Sequence, residues 1–335
     1  MEKFVYLLYG DAYEACVRNA VMLDQDAFTF MPFKSEIVKK IQIIHNARPL
    51  NTIVELPFKT IWFKRALKGM KLDKNDNIYF LLYESFHLSY SKKFLHFLLR
   101  KYPNSNLCFM YLNPVTDLIY EKLDRVSSCI DAVITFNEKD AIKYGYLYCQ
   151  SQPFKLPFIK DDNIPKSDVF FVGSDKGRLE KLIKIYDKLE EAGLKCDFHI
   201  VDVSEERKQK RKGIIYNQKI PYSEVLARVN ATKCILEILQ NDENYLSVRT
   251  FEAIQYNKKL LTESKKAKEY SFYDPQIIQI FDNIDDINVE FITNKMEGDI
   301  FADRCIGEAC VFHDYLKANI PFRSKATTEK KGDSE

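Results

Sequence analysis

Short apolar runs alternating with longer stretches of helical periodicity divide this 335-residue chain into two successive α/β halves. In the first half, residues 4–9, 78–83, 107–112 and 132–136 are strand-like and rich in branched and aromatic side chains. The segments between them are patterned as helices, and that alternation predicts a largely parallel sheet. In the second half, Val169-Phe170-Phe171-Val172 leads into Gly173-Ser174-Asp175-Lys176-Gly177-Arg178, after which a helical run continues to about Ala192 and stops at Gly193. Residues 196–201, 234–239 and 259–262 predict the next strands. Pro153, Pro157 and Pro165, with Asp161-Asp162-Asn163, break the pattern between residues 150 and 166 and predict a linker. The expected boundaries are 1–157 for the first domain and 166–298 for the second, followed by a helical segment at 299–322 and a disordered polar tail at 324–335.

Composition adds little to that picture, but charge does. Hydrophobic residues make up 46% of the chain and aromatics 13%, enough for two cores. The chain passes from Met1-Glu2-Lys3 straight into its first apolar run, so no cleaved leader is expected, and no apolar stretch is long enough to span a bilayer. Eight cysteines are scattered, at 16, 108, 129, 149, 196, 234, 305 and 310, without a Cys-x-x-Cys pair; this predicts reduced, mostly buried thiols in a cytoplasmic protein. The net charge of +2 conceals an asymmetry, with +6 on residues 1–160 and −4 on the rest. Lys59, Lys64, Arg65, Lys68 and Lys71 share one predicted helix with Trp62 and no acid, and residues 92–101 are similar. Such helices suit peripheral contact with an anionic membrane surface, although one apolar stripe flanked by charge is also the mark of a core-facing helix with a solvated basic edge. A pI of about 7.9 and the lack of a recognised binding motif argue against nucleic acid as a partner.

The most informative chemistry lies between residues 234 and 262. Cys234-Ile235-Leu236-Glu237-Ile238-Leu239 reads as a strand, Gln240-Asn241-Asp242-Glu243-Asn244 as a polar loop, Ser247-Val248-Arg249-Thr250-Phe251-Glu252-Ala253 as a helix start, and Lys258-Lys259-Leu260-Leu261-Thr262 as the next strand. Ser247 is placed to cap the helix, Arg249 and Thr250 lie in its first turn, and Glu252 shares a face with Arg249. A helix N-terminus offers N–H groups and partial positive charge to a diphosphate, Arg249 adds a forked donor, and Glu252 can accept hydrogen bonds from two ribose hydroxyls. The plain alternative is a capped amphipathic helix with an exposed Arg–Glu pair.

This constellation resembles the nucleotide-sugar site in the second domain of glycosyltransferases of the GT-B architecture, where a helix carrying a glutamate one residue before an alanine holds the donor nucleotide. Residues 258–262 look like the family's strand after that helix, and Tyr270-Ser271-Phe272-Tyr273-Asp274-Pro275 like its next loop. Phe171-Val172-Gly173 followed by Lys176-Gly177-Arg178 is a second match, with Gly173 permitting a tight strand-to-helix turn and Lys176 and Arg178 neutralising the leaving diphosphate. Ile220-Pro221-Tyr222-Ser223-Glu224-Val225-Leu226 is similar to the loop and helix beside the nucleobase, where Tyr222 either stacks or only packs. Residues 133–141 with Tyr144-Gly145 resemble the end of the acceptor domain in bacterial polysaccharide-building members, and residues 312–318 the terminal helix that crosses back to the first domain.

The resemblance covers nearly the whole chain to about Phe322 and implies two facing doubly wound, Rossmann-like domains with the donor in the cleft. It further implies metal-independent, cofactor-free transfer from a nucleotide diphosphate sugar to a glycan or lipid-linked acceptor in surface polysaccharide or lipopolysaccharide biosynthesis. Two departures stand out. Many retaining members carry a pair of spaced glutamates, but Asn244 occupies the earlier position and Glu243 lies one residue out of step, which leaves stereochemistry open. Tyr245 and Leu246 stand where glycines would let the backbone approach a phosphate. A nucleotide-sugar epimerase is the same-fold alternative, and a catalytically silent binding subunit that partners an active transferase is the alternative of another class.

Loops at the carboxyl ends of first-half strands supply the catalytic candidates. Asp11 follows the first strand through Gly10, and Glu84 and His87 follow residues 78–83. Asp11 also stands where a helix cap belongs, and His87 is equally a packed or exposed imidazole. His45, His96, His199 and His313 form no cluster in sequence. Asp24-Gln25-Asp26 matches the D-x-D by which the other major glycosyltransferase architecture holds a metal, but it follows a helix-like run rather than a buried strand and reads as a solvated turn, so no metal site is expected. No Gly-x-Ser-x-Gly elbow, Gly-Lys-Ser/Thr phosphate loop or Gly-x-Gly-x-x-Gly is present, which disfavours hydrolase, kinase and dehydrogenase.

Overall fold

The computed structural model describes residues 1–9, 12–22, 24–31, 33–51, 56–150, 153–239, 246–296, 298 and 307–322, with the backbone alone at 12, 48 and 49. The chain divides into two compact units, Met1–Lys155 with Gly307–Glu335, and Leu156–Ile306. Each holds one parallel six-stranded sheet. The fold is thus two Rossmann-like α/β domains.

In unit 1 the strands are β1 (Glu2–Leu7), β2 (Ala27–Thr29), β3 (Asn77–Tyr83), β4 (Ser105–Tyr111), β5 (Ala132–Thr135) and β6 (Leu147–Tyr148), in the order β2-β1-β3-β4-β5-β6. The runs in β3 and β4 are almost continuously apolar because both faces are covered: nearly every residue is buried. The helices are α1 (Ala12–Val21), α2 (Glu36–Asn46), α3 (Thr60–Ala66), α4 (Lys92–Lys101), α5 (Asp117–Asp124) and α6 (Glu138–Tyr144). Side chains cap three of them: Ser91 accepts from Phe94 N, Thr116 from Ile119 N, and Asn137 from Lys139 N and Asp140 N. The basic helices α3 and α4 turn their apolar stripes inward, with Phe63, Phe94, Leu95 and Leu98 buried and the Phe63 and Phe94 rings 5.3 Å apart. Trp62 packs edge-on to Phe33 and donates its indole N–H to His45 Nδ1 at 2.6 Å. Among the described residues no helix is long and apolar enough to cross a membrane.

In unit 2 the strands are β7 (Ser167–Ser174), β8 (Cys196–Val201), β9 (Ile214–Tyr216), β10 (Thr232–Glu237), β11 (Lys259–Thr262) and β12 (Ile278–Ile280), in the order β12-β11-β10-β7-β8-β9. Helix α7 (Leu179–Glu191) buries Leu179, Leu182, Ile183, Tyr186 and Leu189, the stripe that a 3.6-residue period dictates, and Gly193 ends it at φ 79°. Helices α8 (Tyr222–Ala231), α9 (Val248–Gln255) and α10 (Val289–Thr293) follow. Both sheets are doubly wound. The chain builds outward from its first strand on one side, then crosses to the other, so the winding reverses between β1 and β3 in unit 1 and between β7 and β10 in unit 2.

The last helix, α11 (Ala309–Asn319), belongs to unit 1. Its buried His313 stacks on Phe4, with ring centroids 3.7 Å apart, and lies between the Tyr6 hydroxyl, 2.8 Å from Nε2, and Asp24, 3.0 Å from Nδ1. Burial pushes the imidazole pKa down to about 4 despite Asp24, so the neutral ring donates to Asp24 and accepts from Tyr6. Asp26 pairs with Lys3 at 2.6 Å. The two acids of Asp24-Gln25-Asp26 are therefore engaged in packing, and among the described residues no group of three or more His, Cys, Asp or Glu side chains is arranged to hold a metal. The described cysteines are free and, apart from half-buried Cys196 and exposed Cys310, buried; Cys305 lies outside the described residues, as does the 324–335 tail.

Candidate functional site

Open α/β sheets take ligands beyond the carboxyl ends of their strands, where the winding reverses. In unit 2 that place is the adjoining ends of β7 at Ser174 and of β10 at Glu237. Arg178 straps it. Its Nη1 donates to Ile238 O, Nη2 to Ser174 O at 2.6 Å, and Nε to Asp175 O at 3.3 Å, so one guanidinium ties the chain leaving both strands. Gly173 has a different duty from the one its sequence position suggests. It is a strand residue paired with Ile200, and a Cβ there would stand 3.3 Å from both Arg178 Nη2 and the Phe171 ring. The turn is made instead by Lys176 and Gly177, at φ 43° and 82°, with the Lys176 side chain exposed.

Two fully buried carboxylates occupy the other side of the reversal point. Glu237, the last residue of β10, accepts from the hydroxyls of Ser247 and Thr250 at the start of α9 and of Thr262 at the end of β11. Burial holds its carboxyl above the ordinary glutamate range, and the three hydroxyls pull it part of the way back. Ser247 also accepts from Arg249 N at 3.1 Å, the cap that the sequence suggests. On α9 itself, Glu252 is 0% exposed, with one oxygen bonded by Arg249 and the other by the Tyr222 hydroxyl at 3.0 Å. Burial raises its pKa, Arg249 and Tyr222 oppose that, and the charge on Glu237 reinforces it.

The structure thus brings together Gly173 and Arg178 at one strand end, and Ser247, Arg249, Thr250, Glu252 and Tyr222 at the other. Sequence spacing anticipates the Arg249–Glu252 pair, which the plain alternative leaves exposed; in the fold Glu252 is wholly buried and also bonded by the Tyr222 hydroxyl of α8. Glu237 is the residue that sequence reasoning missed. The available signal was an acid ending an apolar strand, with hydroxyl residues at the next helix start and the next strand end.

In unit 1 the winding reverses between β1 and β3. His87 lies in the turn Phe86–Tyr90 after β3, its ring edge-on to Tyr9 just past β1 with centroids 5.6 Å apart. Although His87 is exposed, desolvation and the positive charges of Lys122 and Lys39 hold its imidazole below the ordinary value. Glu84 is half-buried beyond the end of β3, and Asp11 lies outside the described residues, as do Glu243 and Asn244. The acid that the described residues do place at the end of β1 is Glu14 of α1, which is buried and accepts from Tyr9 N.

No protein-family model matches the chain, and no curated protein matches it in sequence. Similar solved structures include T4 phage β-glucosyltransferase, 12% identical, covering 96% of this chain and 100% of that one with a TM-score of 0.46. A UDP-N-acetylglucosamine 2-epimerase is 11% identical over 97% and 100% of the two chains, with a TM-score of 0.43. A sucrose-phosphate synthase from Thermosynechococcus elongatus is 9% identical over 85% and 87%, with a TM-score of 0.45. Likeness of this degree assigns neither a family nor a chemistry.

Proposed function

We propose that this chain is a GT-B-type glycosyltransferase that moves a sugar from a nucleotide diphosphate sugar to a glycan or lipid-linked acceptor in surface polysaccharide or lipopolysaccharide biosynthesis, at the cytoplasmic face of the membrane and without a metal or cofactor. The supporting observation is the convergence, at the unit 2 reversal point, of the α9 N-terminus with Arg249, Glu252 and the Tyr222 hydroxyl. In this reading the helix N-terminus, Arg249, Arg178 and Lys176 receive the diphosphate, and Glu252 receives the ribose. Donor binding exchanges the Tyr222–Glu252 hydrogen bond for one from a ribose hydroxyl; a hydroxyl-to-carboxylate bond replaces another, so the exchange costs little. On unit 1, His87, kept neutral at pH 7 by its surroundings, is suited to take the acceptor proton, with Glu84 and Asp11 as the other candidates.

One observation favours a second reading. Both oxygens of Glu252 are already satisfied by the chain itself, and Arg178 is bonded to backbone carbonyls, as suits a catalytically silent binding subunit. Screening nucleotide diphosphate sugars by thermal shift, then following nucleoside diphosphate release with and without acceptor, separates the readings. Release that needs acceptor supports transfer. Donor interconversion without acceptor indicates an epimerase, binding without turnover a silent subunit, and no nucleotide binding at all overturns the proposal.

A further inference from the structure

Helix α2 faces the wrong way for a helix on a water-exposed surface. At about 100° of rotation per residue, Ile37, Ile41 and Ile44 share one face. That face is outside, with the three side chains 71%, 52% and 57% exposed. The side turned toward unit 1 is polar: Gln42 is buried and accepts from the Tyr9 hydroxyl, Lys39 lies 5.2 Å from the centre of the Tyr9 ring, and His45 accepts from the Trp62 indole. Of the four isoleucines in α2, Ile43 alone is half-buried against the core. A helix of this composition gains most by burying its isoleucine stripe, so its present orientation forfeits that stabilisation. The exposed apolar surface continues beyond the helix. Phe58 and Ile61, at 76% and 61% exposure, stand just before and within α3, which the Trp62–His45 bond ties to α2. Phe58 has a φ of 64°, a region that bulky residues rarely adopt. Such strain persists where it serves a function, and here it holds an aromatic ring in water. Half of the exposed large apolar side chains among the described residues fall between 31 and 61.

Charge decides what covers this face. Residues 31–71 carry nine Lys and Arg against two acids, Glu36 and Glu55, a net of +7 in a chain whose total is +2. Pairing inside the segment, such as Lys39 with Glu36 at 3.9 Å, leaves that net unchanged. A two-fold dimer through the same face would set one such segment against another and is disfavoured by repulsion. An anionic bilayer meets both features: isoleucines and Phe58 enter the acyl boundary, while exposed lysines such as Lys34 and Lys40 reach the headgroup phosphates. We propose that α2 and the start of α3 form the surface by which this protein lies on an anionic lipid bilayer. The basic pattern of α3 and α4 suggests those helices for the contact, but their apolar stripes are turned inward, and α2 takes the part instead. Gln42 and His87 share Tyr9 as a neighbour, so the face lies beside the end of β1. That the bilayer supplies a lipid-linked acceptor there rests on the glycosyltransferase reading; attachment to it does not.

The test uses the full chain and the variant I37Q/I41Q/I44Q, which puts good helix formers at three exposed positions. Sedimentation is followed with vesicles of phosphatidylcholine alone and with about 30% phosphatidylglycerol, at low and high salt. The parent should bind the anionic vesicles more tightly than the neutral ones, and less tightly as salt rises. The triple variant should lose at least about tenfold in vesicle affinity, with melting temperature and nucleoside diphosphate affinity unchanged. If the triple variant does not fold, the parent gives the answer with brominated phosphatidylcholine added to the anionic vesicles. Trp62, the only tryptophan, is bonded to α2, so its fluorescence is quenched when this face enters the bilayer. No vesicle binding, binding indifferent to phosphatidylglycerol, binding without quenching, or binding that a folded triple variant retains in full overturns the proposal. A parent that ignores vesicles but dimerises, and becomes monomeric in the triple variant, assigns the face to a second copy and overturns it likewise. Vesicle binding as expected with no nucleoside diphosphate binding counts against the unit 2 reading and leaves the membrane surface standing.

Discussion

At the unit 2 reversal point the buried titratable groups are carboxylates, Glu237 and Glu252, held by four hydroxyls and an arginine. In unit 1 the corresponding region holds a single described buried carboxylate, Glu14, which accepts from Tyr9 N, with the Tyr9 ring edge-on to the exposed imidazole of His87. The two sheets share one winding scheme, so topology fixes where a ligand can approach but not its charge. Charge is set by a few positions: which residue ends the strand, and what the neighbouring helices bring to it. The +6 and −4 balance of the two halves of the sequence reflects this in outline only, because the acids that matter in unit 2 are buried rather than spread over its surface.

The comparison is broken most forcefully by removing the acid that organises unit 2. Glu237→Ala leaves three hydroxyls without their common acceptor in a site closed to water, and should cost about 3 kcal/mol or more, since each hydrogen bond to a buried charged group contributes about 1.5–3 kcal/mol. Glu237→Gln keeps an acceptor and should cost less. Urea unfolding followed by hydrogen exchange of the unit 2 amides measures both, and an alanine variant as stable as the parent rules out the organising role.

A smaller effect is expected from Glu252, where function rather than fold is the readout. Glu252→Gln should weaken nucleoside diphosphate binding by about 1–3 kcal/mol through loss of charge-assisted hydrogen bonds. Tyr222→Phe should leave that affinity unchanged or raise it slightly, because it frees the oxygen that the ribose takes. A Tyr222→Phe loss as large as that of Glu252→Gln would show that the hydroxyl itself holds the nucleotide.

These two glutamates also mark what the sequence could and could not disclose. The long strands were legible because sheets covered on both faces demand uninterrupted apolar runs. The edge strands β2, β6, β9 and β12, of two or three residues each, are too short to carry any period and escaped notice. The Arg249–Glu252 contact spans three residues of one helix and follows from helical geometry alone. The bonds to Glu237 span 10, 13 and 25 residues, and Tyr222 reaches Glu252 across 30, so both depend on how strands and helices are assembled. Gly173 shows the converse error: a glycine after an apolar run suggested a turn, but its missing side chain makes room for Arg178.

Acidification sharpens the comparison further, because the two units should respond with opposite sign. His313 and His87 in unit 1 have folded pKa values below the ordinary 6.5, about 4 for His313, so the stability they contribute is present above 6.5 and lost as pH falls toward their folded values. Glu237 and Glu252 in unit 2 are raised above 4.5, so their contribution is present below that value and lost as pH rises through the folded values. The depressed carboxylates of unit 2, Asp168, Asp187, Asp197 and Glu206, act in the same sense as the histidines but only near and below 3.8 for the aspartates and 4.5 for Glu206. Between pH 7 and pH 5, hydrogen exchange should therefore show unit 1 opening more readily and unit 2 less. His313→Asn should flatten the first trend and the double change E237Q/E252Q the second; parallel trends in both units would refute the assignment.

The smallest effect expected is that of a chelator on activity. The positive charge that a divalent cation would bring to a leaving diphosphate is supplied, in the proposed mechanism, by the α9 N-terminus, Arg249 and Arg178, which are held in place before reaction, together with the exposed Lys176. The acids best spaced to hold a metal, Asp24 and Asp26, are committed to His313 and Lys3 in unit 1. With the matching donor and acceptor, turnover should survive excess chelator, and added magnesium or manganese should change it less than twofold, under about 0.4 kcal/mol in barrier height. Because such a result depends on fixed cations, Arg249→Ala and Arg178→Ala should each lower affinity for a nucleoside diphosphate more than for the matching nucleoside. Abolition by chelator with recovery in manganese would reject the mechanism. It would also return attention to Asp24 and Asp26 as sources of metal ligands.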